Sequence, residues 1–512
     1  MYQRNVFDYF LASARRLPDK PALCDEKESD TFAQLLDKAL RVGSFLHRRY
    51  GSINRPVAVG VERSVKSFAC LQGVLACGNY YVPVDLTMPR ERMERVFQQL
   101  RPLCFLCPAE QREKLLPLEK LCPLEDMDAA LAEKPEEEAV LAALRSRVLD
   151  VDPAYVLFTS GSTGLPKGIA VTHRGLMDFT EWLAEIEDCT EQDVFANQSP
   201  FYFDTSVKDM YLTLKCGATT HILSKKLFLF PKLLMDSLWE KQVTTLHWAT
   251  SAFHLVAASG VLEKRVPETL RTVVMGGEAL QAKQLNRWRR ALPRVRYINM
   301  YGPTEVTVDC AYYPIEREFS DQETIPIGRA CANMEVFLLD EQLRPVPDGT
   351  PGEICVRGGG LAKGYIGEWG KTRSAFIQDP RNPDYPDRIY RTGDLGVINE
   401  TGDLIFLSRL DSQIKHMGYR IELGEIETAL AAISSVEEAV CLFDREKDRI
   451  LCVYAGGEEP AALECALLSR LPKYMLPNEY YRLEEGLPHN ANGKLDRQNL
   501  KARYLHGTGH GI

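Results

Sequence analysis

The sequence predicts an α/β protein with a large N-terminal domain and a small α+β C-terminal domain, on three observations. Up to about residue 400, short apolar runs that fit buried strands alternate with longer stretches of 3.6-residue period that fit helices. From Ile325 to Tyr365, strand-like runs are separated by turns at Pro347-Asp348-Gly349 and Pro351-Gly352, which indicates a more β-rich portion. The last roughly 100 residues carry strand and helix patterns of their own, enough for a separate domain.

Each predicted element follows from its periodicity, and the alternation favours largely parallel sheets in the N-terminal part. The predicted strands are Pro56–Val61, Tyr155–Thr159, Thr219–Leu223, Thr272–Met275, Glu437–Phe443 and Ile450–Tyr454. The predicted helices are Lys66–Ala76, Leu233–Lys241, Ala282–Ala291, Gly424–Ala432 and Ala462–Leu471. We place the domain boundary after residue 410, which gives an N-terminal domain of residues 1–410 and a C-terminal domain of residues 411–512.

Composition narrows the class of protein. The chain has 512 residues, too many for one ordinary core, with 45% hydrophobic and 26% charged residues, as in globular proteins. The net charge of −9 argues against nucleic acid as the main partner. The first twenty residues carry six charged side chains among their apolar residues, which favours an amphipathic helix over a signal peptide.

The cysteines and apolar runs indicate the compartment. Fourteen cysteines without an export signal are typical of reduced thiols, and we interpret the one close pair, Cys104 and Cys107, as core packing. No uncharged apolar run reaches the roughly 18 residues that a membrane span needs. We therefore expect a cytoplasmic protein with no membrane insertion.

The most informative stretch is Tyr155–Gly168, in which an apolar strand runs into a loop rich in glycine and hydroxyl groups. Its candidate phosphate-binding residues are Thr159, Ser160, Gly161, Ser162, Thr163, Gly164 and Lys167. Glycines let backbone N–H groups face an anion, and the lysine adds a positive charge. A flexible polar loop would explain the glycines and hydroxyls, but not the lysine at this spacing behind a buried strand. The spacing also differs from a Walker A loop.

This loop resembles the signature of the adenylate-forming superfamily, which includes acyl-CoA synthetases, luciferases and the adenylation domains of nonribosomal peptide synthetases. The resemblance extends over nearly the whole chain, because further motifs follow in the family's order. They lie at Asn79–Pro89, Phe201–Asp204, Asn299–Glu305, Gly352–Tyr365, Tyr390–Leu395, Ser408–Glu427 and Asn490–Lys494. The resemblance implies the adenylate-forming fold, in which the small C-terminal domain is mobile.

The resemblance implies where ATP and Mg²⁺ bind. Tyr301 offers a flat face for adenine and Asn299 a hydrogen-bonding edge. Thr304 would donate to the α-phosphate, and Glu305 is a hard oxygen ligand suited to Mg²⁺ between phosphates. Thr304 and Glu305 are accordingly expected to be catalytic, and Glu305 to be the metal ligand.

Three further residues have family roles in the first half-reaction. Asp394, which the pattern places in a turn at the end of a strand, would accept from both ribose hydroxyls. Arg409 would reach the ribose or phosphate, although a surface salt bridge is the alternative. Lys494 would bridge the substrate carboxylate and the α-phosphate as the catalytic lysine. Without the resemblance, Lys494 would be interpreted as a solvated loop lysine.

Asp204 indicates the class of acid, because in amino-acid-activating members an aspartate here binds the substrate's α-ammonium group. The expected side-chain pocket consists of Thr205, Lys208, His247, Val274, Gly276, Met300, Val308 and Asp309. Its three ionisable groups favour a polar side chain. His247 with Asp309 resembles serine-activating pockets, whereas Gly276, Met300 and Val308 resemble threonine-activating ones. Lys208 fits neither, and we expect it to pair with Asp309.

The expected activity is formation of an aminoacyl adenylate, followed by transfer to the phosphopantetheine arm of a carrier protein in trans. The sequence leaves no room for a fused carrier domain after Lys494, and a monomeric, stand-alone enzyme is expected. Alternatives are a D-alanine–carrier protein ligase, although such enzymes have a cysteine where Gly276 lies here, an acyl- or aryl-CoA synthetase, and an inactive nucleotide-binding scaffold.

The resemblance also places a hinge at Asp411. Proline fixes φ, so we expect Asp411→Pro to spare adenylate formation far more than thioester transfer. Pyrophosphate exchange and carrier loading measure the two half-reactions separately. Equal loss in both would contradict the hinge assignment.

Overall fold

The computed structural model describes residues 4–161, 166–411, 413–484, 486–489 and 495–506. The chain divides into two units. Unit 1 comprises Met1–Leu86, Gln99–Phe158 and Gly168–Leu410, and unit 2 comprises Thr87–Gln98, Thr159–Lys167 and Asp411–Ile512. Unit 2 thus contains two segments from before residue 410, which the sequence alone had grouped with the N-terminal domain.

The protein has a mixed α/β fold, with helices and strands alternating through most of unit 1. The helices are α1 Phe7–Arg16, α2 Phe32–Tyr50, α3 Val65–Ala76, α4 Arg90–Leu100, α5 Arg112–Leu115, α6 Met127–Leu131, α7 Glu137–Arg147, α8 His173–Ile186, α9 Ser206–Cys216, α10 Pro231–Glu240, α11 Thr250–Ala258, α12 Ala282–Ala291, α13 Trp369–Ala375, α14 Leu423–Ala431, α15 Pro460–Leu468 and α16 Arg497–Lys501.

The strands are β1 Pro21–Cys24, β2 Ser29–Thr31, β3 Pro56–Val61, β4 Tyr80–Asp85, β5 Phe105–Cys107, β6 Leu124–Asp126, β7 Pro153–Thr159, β8 Lys167–Thr172, β9 Val194–Asn197, β10 Thr219–Ile222, β11 Thr245–Ala249, β12 Thr272–Gly276, β13 Arg296–Tyr301, β14 Ala311–Pro314, β15 Arg329–Ala330, β16 Met334–Leu339, β17 Gly352–Gly358, β18 Phe376–Gln378, β19 Arg388–Ile398, β20 Leu404–Arg409, β21 Gln413–His416, β22 Tyr419–Glu422, β23 Val436–Asp444, β24 Arg449–Gly456 and β25 Glu479–Arg482. Within the described residues they form five sheets.

The largest sheet, in unit 1, has nine strands in the order β15-β14-β13-β12-β11-β9-β10-β1-β2. The strands from β13 to β1 pair in parallel, and β14, β15 and β2 are antiparallel at the edges. Every residue of β12 is buried, as expected for a parallel strand covered on both faces. Gly276 of β12 lies opposite Met300 of β13 in this register.

Two further sheets involve the N-terminal part of the chain. A six-stranded sheet has the order β6-β5-β3-β4-β7-β8, with parallel pairing along its first five strands. A five-stranded antiparallel sheet has the order β16-β17-β19-β18, with β20 also paired to β19. This antiparallel sheet accounts for much of the β-rich portion expected from the sequence.

Unit 2 has a core of its own. The antiparallel hairpin of β21 and β22 leads into α14, and the sheet β23-β24-β25 packs against α14 and α15. Ile426, Leu430, Tyr454, Leu463 and Leu467 are fully buried there. Apolar residues at i and i+4 of α14, and again of α15, account for this burial.

Several predicted elements match the structure and one local expectation is wrong. β3 and α12 have the predicted bounds, and Cys104 and Cys107 are buried in the core. Asp394 does not lie in a terminal turn, because β19 continues to Ile398. Gly393 has a φ of 72°, so the strand absorbs an irregularity there and resumes.

No described helix is long and apolar enough to cross a bilayer.

Candidate active site

The candidate site of unit 1 lies along the carboxyl ends of the parallel strands in the nine-stranded sheet. Asn197, Gly276 and Tyr301 are the last residues of β9, β12 and β13. Asp204 and Thr205 directly precede α9, which follows β9 along the chain. In open α/β sheets, ligands bind at this edge.

Asp204 and Thr304 meet although they are a hundred residues apart. The Thr304 hydroxyl donates to Asp204 Oδ2 at 2.5 Å. The main chain around Asp204 is already turned, since Val207 N donates to its carbonyl oxygen at 2.9 Å. A carboxylate that accepts from a hydroxyl in this way keeps further acceptor capacity for a ligand cation.

Lys208 pairs with Asp309, as the sequence predicted. Lys208 Nζ lies 2.7 Å from Asp309 Oδ2, and both side chains are at most 5% exposed. The approach is a contact of charges rather than a well-directed hydrogen bond, because Asp309 Oδ2 has no hydrogen-bond partner among the described residues. This oxygen therefore keeps its capacity to accept.

A strained turn brings Asp309 to this position. Thr307 and Val308 have φ angles of 60° and 72°, in a region that β-branched residues rarely adopt. Asp309 N donates to Thr307 O at 3.0 Å, which closes a tight three-residue turn. Such residues cost about 1–3 kcal/mol each and persist where the surroundings fix them. The strain marks 307–309 as a segment held for its shape.

Glycine permits the close packing of this turn. A Cβ at Gly302 would lie 2.3 Å from the Asp309 Cα, and a Cβ at Gly276 would lie 2.9 Å from Met300 O. Val274, Met300 and Val308 are buried apolar neighbours in the same region of unit 1. The residues predicted to form the side-chain pocket thus include one glycine, three buried apolar residues and one ion pair. Thr205, also predicted for the pocket, is partly exposed.

His247 is the exception, and its expected role in the pocket is wrong. Its side chain is fully buried, with Nδ1 2.7 Å from Asp209 Oδ1 and Nε2 2.9 Å from Glu187 Oε1. Both ring nitrogens are therefore occupied by carboxylates, neither of them Asp309. Burial alone would lower the pKa of His247, but Glu187 and Asp209 outweigh it and raise the pKa to about 9. The residue is an internal imidazolium.

The residues predicted to bind adenosine form a second cluster in unit 1. The Tyr301 hydroxyl donates to Asp394 Oδ2 at 2.5 Å, and Arg409 Nη1 donates to Asp394 Oδ1 at 2.5 Å. Arg409 is only 10% exposed, which excludes the surface salt bridge considered for it. Each carboxylate oxygen retains a second lone pair. The side-chain amide of Asn299 donates a hydrogen bond from Nδ2 to Pro326 O at 2.8 Å.

Glu305 is fully buried and accepts a hydrogen bond from the Tyr365 hydroxyl at 2.9 Å. Among the described residues, no group of three His, Cys, Asp or Glu side chains could hold a metal ion. A single carboxylate nevertheless fits Mg²⁺, which in nucleotide sites takes one or two protein carboxylates and is otherwise bound by phosphates and water.

The loop predicted to bind phosphate, Thr159–Lys167, belongs to unit 2 and is called the phosphate loop below. Thr159 Oγ1 is buried without a hydrogen-bond partner among the described residues, as a donor held for a ligand would be. Ser160 Oγ donates to Arg420 O at 2.7 Å, and Lys167 Nζ lies 3.4 Å from Glu422 Oε1. Gly161 N donates to Glu425 Oε2 at 3.3 Å.

Some predicted residues cannot be placed. Ser162, Thr163, Gly164 and Lys494 lie outside the described residues. Asp411 is described, and its Oδ1 accepts from Gln413 N at 3.1 Å within unit 2.

Sequence reasoning missed the partners of these residues. Glu187 and Asp209 were not singled out, nor were Glu422 and Glu425, which contact the phosphate loop. Asp209 follows Lys208 directly, so the pattern of adjacent opposite charges at the start of α9 was the available signal.

Two surface cavities of unit 1, of about 580 and 630 Å³, are lined by none of the predicted site residues. The assignment of the site therefore rests on side chains and their contacts.

Comparisons with known proteins identify the family. Residues 10–366 match the family model described as AMP-binding enzyme. Zwittermicin A synthase ZmaJ of Bacillus cereus is 30% identical over 96% of this chain and 94% of its own length. Tyrocidine synthase 3 of Brevibacillus parabrevis is 34% identical over 97% of this chain. The chain spans only 8% of that relative, and 9% of bacitracin synthase 1 of Bacillus licheniformis, which is 32% identical over 97% of this chain.

A solved structure gives the same result. Holo-PA1221, an NRPS protein containing adenylation and PCP domains bound to a vinylsulfonamide inhibitor, is 29% identical with a TM-score of 0.83. The match covers 97% of this chain and 84% of that one.

The imidazolium at His247 predicts how stability depends on pH. A pKa raised from 6.5 to about 9 stabilises the fold fully below pH 6.5, and this contribution is lost as pH rises through 9. The difference between these two pKa values corresponds to roughly 3 kcal/mol in the free energy of unfolding. We therefore expect the difference in thermal midpoint between the wild type and His247→Gln to shrink between pH 7 and 10.

His254→Gln is the matched control, because burial lowers the pKa of His254 to about 4 and keeps it neutral in this range. Its difference from the wild type should stay constant. A constant difference for His247→Gln as well would show that His247 is neutral.

Proposed function

The chain belongs to the AMP-binding enzyme family, and on that premise we propose that it activates an amino acid as an aminoacyl adenylate and transfers it as a thioester to a carrier protein. Enzymes that form adenylates use ATP, and the family membership makes this chain an AMP-forming ligase. The observation that carries the amino-acid assignment is Asp204, hydrogen-bonded to Thr304 at the carboxyl edge of the sheet.

Asp204 suits the α-ammonium group of an amino acid. An ammonium group supplies both a positive charge and N–H donors, and a hydrogen bond between an ammonium group and a carboxylate is stronger than one between neutral groups. A fatty or aryl acid offers no cation to this carboxylate, which is the argument against an acyl- or aryl-CoA synthetase.

The ion pair also limits the substrate's side chain. Lys208 and Asp309 cancel each other's charge, so an acidic or basic side chain beside them would add an unmatched buried charge. A neutral hydroxyl or amide group can donate to Asp309 Oδ2 and accept from Lys208. We propose a neutral, hydrogen-bonding amino acid. The crowding of Gly276 against Met300 O disfavours any larger residue there, so the cysteine of D-alanine ligases would not fit without a shift.

In the first half-reaction, the substrate carboxylate attacks the α-phosphorus of ATP and diphosphate leaves. Tyr301, Asp394 and Arg409 would hold the adenosine, and Thr304 would donate to the α-phosphate. Lys494, outside the described residues, is proposed to stabilise the charge that develops on the phosphorus. Mg²⁺, held by Glu305, would neutralise charge on the phosphates.

The partner proposed for the second half-reaction is a carrier protein bearing phosphopantetheine. The similarity to solved NRPS proteins that contain adenylation and PCP domains supports this choice over coenzyme A. Loading assays with a carrier protein and with coenzyme A in parallel distinguish the two acceptors.

We expect amino-acid-dependent pyrophosphate exchange, and Asp204→Asn should lower kcat/KM for the preferred amino acid by roughly 10- to 150-fold, the worth of one charge-assisted hydrogen bond. The KM for ATP should not change. Asp340→Asn is the control, because Asp340 is a partly exposed aspartate of a turn that contains none of the predicted site residues.

The diagnostic comparison uses the preferred substrate and its des-amino analogue. The ratio of kcat/KM for the amino acid to kcat/KM for the des-amino analogue should be smaller in Asp204→Asn than in the wild type. If no L- or D-amino acid supports exchange, the proposed function is abandoned.

The ion pair can be tested by replacing both members with apolar residues. Lys208→Met together with Asp309→Leu should keep the fold, because a buried pair is often replaced at little cost, whereas either change alone should cost about 3–5 kcal/mol. In the double variant, the amino acids that best support pyrophosphate exchange should change from neutral polar ones to apolar ones of similar volume. If the double variant prefers the same amino acids as the wild type, the pair has no role in specificity.

A further inference from the structure

Two carboxylates of unit 2 lie on the donors of the phosphate loop. Lys167 Nζ is 3.4 Å from Glu422 Oε1, and Gly161 N donates to Glu425 Oε2 at 3.3 Å. Both glutamates are 2% exposed. Each carboxylate thus places a negative charge on a donor, a lysine in one case and a backbone N–H in the other, to which a phosphate oxygen would otherwise bind.

Other contacts hold these carboxylates in place. Glu425 also forms an ion pair with Arg92, which is 6% exposed, and Glu422 accepts from Gln413 Nε2 at 2.6 Å. Ser160 Oγ donates to Arg420 O at 2.7 Å and accepts from Glu422 N at 3.1 Å. The segment 420–425 is thus bonded to the loop through main chain and side chains, not through one mobile side chain.

The local sequence explains why both acids face one way. Glu422 ends β22 at the N-cap position of α14, without a side-chain capping hydrogen bond, and Glu425 lies in the first turn of that helix. Acidic residues are favoured at a helix N-terminus, and residues three apart share a helix face. The start of α14 therefore presents two negative charges together.

We propose that Glu422 and Glu425 are internal competitors for the phosphate loop, which binds either these carboxylates or the phosphates of ATP and diphosphate, but not both. The inference rests on the proposed function, in which the loop binds phosphates. Phosphate and carboxylate oxygens a few ångströms apart repel strongly in a buried site. The competition weakens diphosphate binding, so it promotes release of diphosphate after the adenylate forms and opposes the reverse reaction.

Glu422→Gln tests the competition, because it keeps the shape of the side chain and removes its charge. Binding of inorganic diphosphate to the full chain, measured by isothermal titration, should tighten about 10-fold, since a larger fraction of the loop is open to the ligand. Product inhibition by diphosphate in adenylate formation should strengthen by a similar factor.

Glu425→Gln provides a second test. It measures the rise in thermal midpoint on addition of diphosphate, so it can be used even if the variant is less stable than the wild type. This variant leaves Arg92 buried without its carboxylate, so its thermal midpoint should be lowered and should rise more on addition of diphosphate than that of the wild type. Glu427→Gln is the control on the same helix, because Glu427 accepts from Cys441 N and pairs with Arg497.

The outcomes separate the two proposals. Diphosphate binding that is unchanged or weaker in Glu422→Gln, with a normal thermal response in Glu425→Gln, overturns the competition while leaving the proposed function intact. A wild-type protein that neither binds diphosphate nor exchanges it with any amino acid overturns the proposed function, and the competition with it.

Discussion

The burial of opposite charges on α9 is the constraint on which the candidate site depends. Lys208 and Asp209 are adjacent in sequence, and both lie inside unit 1. Taking an ion out of water costs several kcal/mol unless a partner repays it. Lys208 has Asp309 as its partner, whereas Asp209 contacts His247 and accepts from Asn197 at 2.9 Å. The helix that follows Asp204 is therefore tied to the sheet by two independent sets of charges.

The same constraint explains the distortion around Asp309. A relaxed loop would not need two consecutive β-branched residues at positive φ, yet Thr307 and Val308 adopt it. The Thr307 hydroxyl donates to Gly360 O at 2.6 Å, which helps hold the turn. The missing side chain at Gly302 allows the turn to approach. An unpaired buried Lys208 would cost about as much as this strain, so the ion pair with Asp309 offsets the distortion.

What the sequence could and could not predict follows from the range of the interactions. Strands such as β3 are apolar over a few neighbouring residues, so local periodicity suffices to find them. The partners of His247 lie 38 and 60 positions away, and no local pattern selects them. The Lys208–Asp309 pair was predictable only because the family resemblance brought both residues into one pocket. Asp394 was misplaced because a strand can continue past an irregularity at Gly393 whose sequence resembles a turn.

A ligand that binds at the predicted site residues meets groups that already have partners. Asp204 accepts from Thr304, Asp394 accepts from Tyr301 and Arg409, and Lys167 faces Glu422. A ligand that uses these groups replaces or shares contacts that already exist, so the net gain is smaller than the sum of the new hydrogen bonds. The difference in affinity between a correct and a wrong ligand is not reduced in the same way. A wrong ligand displaces the internal partner and leaves a buried charge without compensation, which costs more than a correct ligand gains. Groups that already have internal partners favour selectivity over affinity, as suits the proposed release of diphosphate in every turnover.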